Sequence, residues 1–257
     1  MEDAGEHGVS YIKKSHEARI TFGSVAHNSL TSFALKSLVK FLDRASDDND
    51  VKIVILASGG GSTFCAGANF DELISIKEQN EAKAFFQNFG NLILAIRNCK
   101  KIVLCTAMGK AIGGGVGIIS ACDYAIATQV ASIRLSELAI GIGPFVIGPA
   151  VERKIGLAGF SNLALNPTEW QTANWGKEKG LYQEVFSTDK QCVEYVNHFV
   201  EKYSKFSLEA IKELKKMLWY NTPDWNSLIA DRAIASGSLL LRDECQQALG
   251  AFLNRKA

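Results

Sequence analysis

The chain has no excess of charge of either sign: 28 Lys and Arg stand against 27 Asp and Glu in 257 residues, a formal net of +1. The charges are interspersed, with neither the basic block of a nucleic-acid binder nor an acidic tail. No apolar run reaches the roughly 18 residues that a membrane span needs. The opening MEDAGEHGVS is too acidic and polar for a secretory signal. Six cysteines (Cys65, Cys99, Cys105, Cys122, Cys192 and Cys245) lack C-x-x-C spacing and mostly sit in apolar stretches. They read as buried, reduced thiols in a cytoplasmic protein rather than a disulfide frame. His7, His16, His27 and His198 show no ligand spacing, which argues against a metal site. Familiar phosphate and nucleophile motifs are missing too. Gly59–Ser62 lacks the G-K-[ST] ending of a phosphate loop, Gly113–Gly117 fails the G-x-G-x-x-G spacing at Ile118, and there is no G-x-S-x-G elbow.

What is present is a sizeable apolar fraction, 47% of residues, enough for one core with a small appended piece. Residues 1–10 are expected to fray. Tyr11–Lys14 and Ala18–Phe22 read as short strands around a turn, and Leu30–Ala45 as a helix with apolar residues at helical spacing. Val51–Ala57 (VKIVILA) is a continuous β-branched run, as in a strand covered on both faces. Strand and helix signals then alternate to about residue 155, which predicts an α/β architecture with crossover units. Beyond that the pattern turns helical over Val193–Tyr203, Leu208–Tyr220 and Trp225–Phe252, with Pro223 marking a break. The organisation read from this is a frayed 1–10, a core over 11–192 and a helical region over 193–257.

The stretch Lys101–Gly117, KIVLCTAMGKAIGGGVG, places a buried strand before Gly113, Gly114 and Gly115 and then an apolar helix. Glycines at such a junction let a ligand approach the backbone. The first helical N–H groups, at the positive end of the dipole, suit an oxygen that becomes an anion in a reaction. Read alone, the stretch is equally a tight turn packed in a core. Phe64–Asn69, FCAGAN, follows the strong strand and its loop, and its small residues could set a second backbone donor opposite Gly114. Glu137 follows a strand and precedes a Gly/Pro loop in an apolar setting. Desolvation there raises a carboxyl pKa and suits proton transfer. The plainer alternatives are a helix-entry residue or an ion-pair partner of Arg134 or Arg153.

Together the segments VKIVILA, FCAGANF, GKAIGGGVGIISACDYAIA and IRLSELAIGIGP, in that order, resemble the crotonase (enoyl-CoA hydratase/isomerase) superfamily from about residue 18 to the C-terminal AFLNRK. The pattern is closest to bacterial methylglutaconyl-CoA hydratase-like members. The resemblance implies a spiral of repeated ββα turns with a helical C-terminal region that trimerises, in trimers or in hexamers of two trimers. It implies an acyl-CoA thioester as substrate, with coenzyme A part of that substrate and no separate cofactor. By position, Ala66 and Gly114 resemble the two oxyanion donors, and Ala66, Gly67, Ala68 and Asn69 the run against the pantetheine arm, although the family often has Asp at Asn69. His27 and Asn28 fall where the first strand-to-helix turn approaches coenzyme A. Of the two hydratase glutamates, one falls on Gly117 and is absent, and the other falls on Glu137. Hydration of an unsaturated, methylglutaconyl-type acyl-CoA is the first expectation. Δ3,Δ2-enoyl-CoA isomerisation, in which a single base moves a proton between carbons, is the alternative. Decarboxylation, or acyl-CoA binding or scaffolding without chemistry, stays open because of Gly117. Asp71 or Glu72 could supply a second acid, and Ser136, Phe145 and Val146 could line the acyl pocket.

Overall fold

The structure is a computed structural model that describes residues 2–6 and 8–254. Its larger sheet holds β1 (Glu2–Glu6), β2 (Val9–Lys14), β3 (Glu17–Phe22), β4 (Ile53–Ser58), β6 (Ile102–Ala107), β8 (Tyr124–Thr128) and β11 (Glu184–Phe186), in that order. Its smaller sheet runs β10 (Gln171–Thr172), β9 (Ser132–Arg134), β7 (Lys110–Ile112), β5 (Thr63–Cys65). From β3 through β11 the larger sheet is parallel, and β1 and β2 add antiparallel neighbours at one edge. Ten helices follow in chain order: α1 (Ser32–Asp47), α2 (Phe70–Ser75), α3 (Gln79–Asn98), α4 (Gly114–Ala121), α5 (Gly148–Leu165), α6 (Ala173–Glu178), α7 (Asp189–Ser204), α8 (Leu208–Leu218), α9 (Trp225–Leu240) and α10 (Asp243–Asn254). None is long and apolar enough to cross a membrane.

One plan repeats three times: a strand in the larger sheet, a short strand in the smaller one, then helix. It appears as β4–β5–α2/α3, β6–β7–α4 and β8–β9–α5. Each crossover between parallel strands needs such a helix. The central strands are apolar on both faces because both faces are covered. Val54 and Leu56 point to the main core under α1 and α3, while Ile53 and Ile55 meet Leu104, Ile126 and the α7 residues Cys192 and Val196. This is the alternation of side chains along a strand.

The N-terminus departs from expectation. Met1 and His7 lie outside the described residues, but Glu2–Glu6 pairs with β2 and Val9 is fully buried. The outer edge of β2 offers unpaired backbone groups, and a further strand satisfies them. The boundary expected at residue 193 falls inside α7. A capping box at Thr188 and Gln191 starts that helix earlier, and Cys192 packs against the sheet. Of the C-terminal residues, 255–257 lie outside the described set.

The C-terminal helices fold back over the same chain. α9 runs against α3, and two glycines let them approach: a Cβ on Gly90 would lie 2.3 Å from Ile229 Cγ2, and one on Gly237 2.8 Å from the Lys83 nitrogen. α8 is held by a buried ion pair. Lys215 Nζ donates to Asp123 Oδ2 at 2.5 Å and to the Ile96 carbonyl at 2.9 Å. Asp123 also accepts from the Val103 N–H at 2.8 Å and from Trp219 Nε1 at 2.7 Å. The side chains of the pair are 5% and 3% exposed. Removing one partner of such a pair strands a buried charge, at a cost of about 3–5 kcal/mol. Lys215→Met is therefore expected to lower the urea midpoint by that equivalent. An unchanged midpoint would show that the pair does not anchor α8.

Candidate active site

Strands β5 and β7 are parallel neighbours, so the segments that leave them arrive side by side. The approach is close enough to require glycine. A Cβ on Gly67 (φ +83°) would lie 2.9 Å from the Ile112 carbonyl oxygen and 3.3 Å from the Gly114 nitrogen, and one on Gly115 would lie 2.6 Å from the Cys65 carbonyl oxygen. Ala66, Gly67, Ala68, Gly113, Gly114 and Glu137 all line one cavity of about 80 Å³.

The backbone hydrogen bonds sort the candidate donors. The Ala66 N–H, expected to be one of the oxyanion pair, donates to the His27 carbonyl at 3.2 Å. Around Ala68, a bridge to Leu30 uses the Gly67 carbonyl and the Asn69 N–H but leaves the Ala68 N–H out. Gly114 is the first residue of α4, where an N–H has no intrahelical acceptor. Among the described residues neither the Ala68 nor the Gly114 N–H has a protein acceptor. Of the two expected donors, Gly114 thus keeps a free N–H and Ala66 does not, while Ala68, two residues on, offers another free N–H on the same cavity wall. The strand pairing that engages Ala66 is a long-range contact, invisible in local sequence.

Asn69 does not line the cavity. Its Oδ1 accepts from the Glu72 N–H at 3.0 Å and caps α2, and its Nδ2 donates to Ser29 Oγ at 3.3 Å. His27 and Asn28 both have left-handed backbone, with φ of +55° and +56°. Asn28 Nδ2 donates to the carbonyls of Thr63 at 2.7 Å and Gly60 at 3.2 Å, tying its turn to the glycine loop. Neither Asp71 nor Glu72 reaches the cavity, and Glu72 Oε2 accepts from the Ser32 N–H at 2.8 Å.

Glu137 opens a short 3-10 turn, Glu137–Ile140, after β9. Its carboxylate lies over Gly113: a Cβ there would be 2.7 Å from Oε1, and the φ of +51° at Gly113 independently favours glycine. Oε2 is sealed from solvent and has no hydrogen-bond partner among the described residues. Burial pushes this carboxyl up to about 7. Neither ion-pair alternative is realised: Arg134 lies against Trp170 and Arg153 against Trp219. Among the described residues Glu137 is the one ionisable side chain lining the cavity.

The rest of the wall is largely apolar. Ser136, Phe145 and Val146 line it, and Phe89, Ile147 and Ser236 join them from positions the sequence did not single out. The Phe89 ring covers Gly114, with Cε1 2.4 Å from where a Cβ would stand. At Gly117 a Cβ would lie 2.5 Å from Ile147 Cγ2 and 2.6 Å from Ile147 Cβ, so Ile147 fills the space of any side chain there. Phe89 carried only the signal of a core helix, and Ile147 that of a loop residue before a helix.

This arrangement can polarise a carbonyl with two N–H groups and move a proton with a carboxyl poised near neutrality. The profile of the Enoyl-CoA hydratase/isomerase family matches residues 13–256, and the chain belongs to that family, within the crotonase superfamily. A Bacillus subtilis (strain 168) protein named "Probable enoyl-CoA hydratase" is 24% identical over 250 residues, covering 96% of each chain. The peroxisomal Delta(3,5)-Delta(2,4)-dienoyl-CoA isomerase of Arabidopsis thaliana is 27% identical over 256 residues, covering 88% of this chain and 87% of its own. The crystal structure of enoyl-CoA hydratase from Bacillus halodurans superposes with a TM-score of 0.88 at 22% identity, over 95% of this chain and 99% of that one, and shares the fold.

Because the fold raises the Glu137 pKa, it favours the protonated form. The associated stabilisation is complete below the ordinary value of 4.5 and is lost as pH rises through about 7. Relative to Glu137→Gln, the wild type is expected to lose stability between pH 5 and pH 8 in urea titrations. A constant difference across that range would contradict the buried, raised carboxyl.

Proposed function

We propose that the chain isomerises the double bond of an unsaturated acyl-CoA thioester. The observation that carries this reading is Glu137, the one carboxyl on the cavity wall among the described residues, which shares that wall with the free Ala68 and Gly114 N–H groups, with Ile147 filling the place of a second acid. In a 3-enoyl thioester, the Glu137 carboxylate takes a proton from C2. The C–H electron pair moves toward the thioester carbonyl, giving a dienolate whose oxygen the two N–H groups hold. The same carboxyl then returns the proton to C4, and the double bond comes to rest between C2 and C3. One acid with a pKa near neutrality serves both steps, since it is base in one and acid in the next. Loss of one oxyanion donor typically costs about 3–4 kcal/mol of barrier lowering.

Hydration is the second reading. The Ser136 hydroxyl lines the cavity and gives a water molecule one further polar contact. The proposal extends to a homotrimer or a hexamer of two trimers, supported by exposed apolar side chains on and after α8: Leu214, Met217, Leu218 and Tyr220. Light scattering on the purified protein tests this, and a monomeric mass would refute it.

Turnover of cis-3-enoyl-CoA in labelled water is expected to give the trans-2 isomer without incorporated oxygen. Appearance of labelled 3-hydroxyacyl-CoA as the first product would select hydration instead. Glu137→Gln is expected to lower kcat at least a thousandfold while keeping thioester affinity. The wild-type kcat/KM should rise with pH through about 7, as a base of that pKa is uncovered. Wild-type-like turnover by the glutamine variant would overturn the assignment.

A further inference from the structure

Away from Glu137 the cavity wall is built from Leu73, Phe86, Phe145 and Val146, and a single hydroxyl interrupts it, that of Ser236 on α9. Ser236 is 1% exposed. Its hydroxyl makes no hydrogen bond to any described residue, although a helical serine can bond to the carbonyl four residues back. Ser238, two positions on, does so with Ile234 at 3.0 Å. A buried hydroxyl without a partner costs free energy, so one aimed into a binding cavity calls for an explanation.

The antiparallel run of α9 along α3 sets its depth. Ile229 lies against Gly90, and Gly237 against Ala82 and Lys83, which brings Ser236 toward Phe86. Phe86 is about one helical turn from Phe89, the ring that covers Gly114. Ser236 thus shares the cavity wall with Phe86 and Phe89.

One turn earlier on the same face of α9, Arg232 Nη1 donates to the Phe145 carbonyl at 3.3 Å. No carboxylate among the described residues pairs with it. Its guanidinium also lies by Gly148, with Nη1 3.0 Å from where a Cβ would stand, next in the chain to the lining residues Phe145, Val146 and Ile147.

We propose that Ser236 is a specificity-determining residue that donates its hydroxyl hydrogen to an oxygen carried by the acyl chain beyond the reacting carbons. Arg232 favours a carboxylate as the source of that oxygen. The substrate class is then an acyl-CoA with an oxygenated tail, foremost the monothioester of a dicarboxylic acid. This rests on the reading of the cavity as an acyl-CoA site.

Calorimetric titration with three saturated five-carbon thioesters tests it without turnover: pentanoyl-CoA, 5-hydroxypentanoyl-CoA and glutaryl-CoA. Wild-type protein is expected to bind glutaryl-CoA about tenfold or more tightly than pentanoyl-CoA, with the hydroxy compound between. Ser236→Ala should shrink both ratios several-fold. Arg232→Gln should shrink the glutaryl-to-pentanoyl ratio and keep the hydroxy-to-pentanoyl ratio. Equal or tighter binding of pentanoyl-CoA by the wild type, or ratios that Ser236→Ala leaves in place, would overturn the proposal. Failure of all three thioesters to bind would overturn the acyl-CoA reading along with it, a result distinct from binding without preference.

Discussion

The close approach of two backbone segments, residues 65–68 and 112–115, is the constraint on which the rest of the structure depends. Gly67 and Gly115 stand where a Cβ would meet main-chain atoms of the other segment, and main chain does not move aside as a flexible side chain can. The parallel pairing of β5 with β7 brings the two runs to the same level, and the start of α4 leaves the Gly114 N–H without an intrahelical acceptor. The smaller sheet therefore does more than complete the fold: the segments that leave its strands line one cavity.

Glu137 takes its chemical character from that setting. Gly113, with its positive φ and lack of side chain, makes room for the carboxylate over the turn, and the apolar wall withholds solvent and partners from Oε2. A carboxyl in such surroundings titrates near neutrality because its charged form is poorly solvated. The same wall settles what the site does without. With Ile147 against Gly117, the space opposite is hydrocarbon.

The helical C-terminal region takes part in the site as well as the core. The Asp123–Lys215 pair fixes α8 to the end of the sheet, and the glycine contacts at Gly90 and Gly237 bring α9 onto α3. Ser236 reaches the cavity by that route from a distant part of the chain. The pocket is thus assembled from the ββα core, the loop before α5 and a late helix, and its polar features come from each of them.

Much of this was legible in local sequence. The β-branched run Val51–Ala57 announced a buried strand, the helical spacing of apolar residues marked α1, and the order of four segments pointed to the superfamily. Such features depend on neighbours along the chain. Glu137 could be singled out because its apolar flanks and Gly/Pro loop are adjacent to it, yet that neither Arg134 nor Arg153 pairs with it follows from where those side chains go. Local sequence could not tell that the Ala66 N–H is engaged and the Ala68 N–H left free, since that depends on the His27 carbonyl, nearly forty positions away in the chain. Nor could it foresee Asn69 capping a helix, Ile147 filling the space beside Gly117, or Ser236 entering the wall. Periodicity along the chain determined the elements, and the resemblance of four segments supplied the class of chemistry. Tertiary packing alone decided which N–H groups remain free and which side chains share a cavity, because hydrogen bonds and excluded volume between remote segments exist only once the chain has folded.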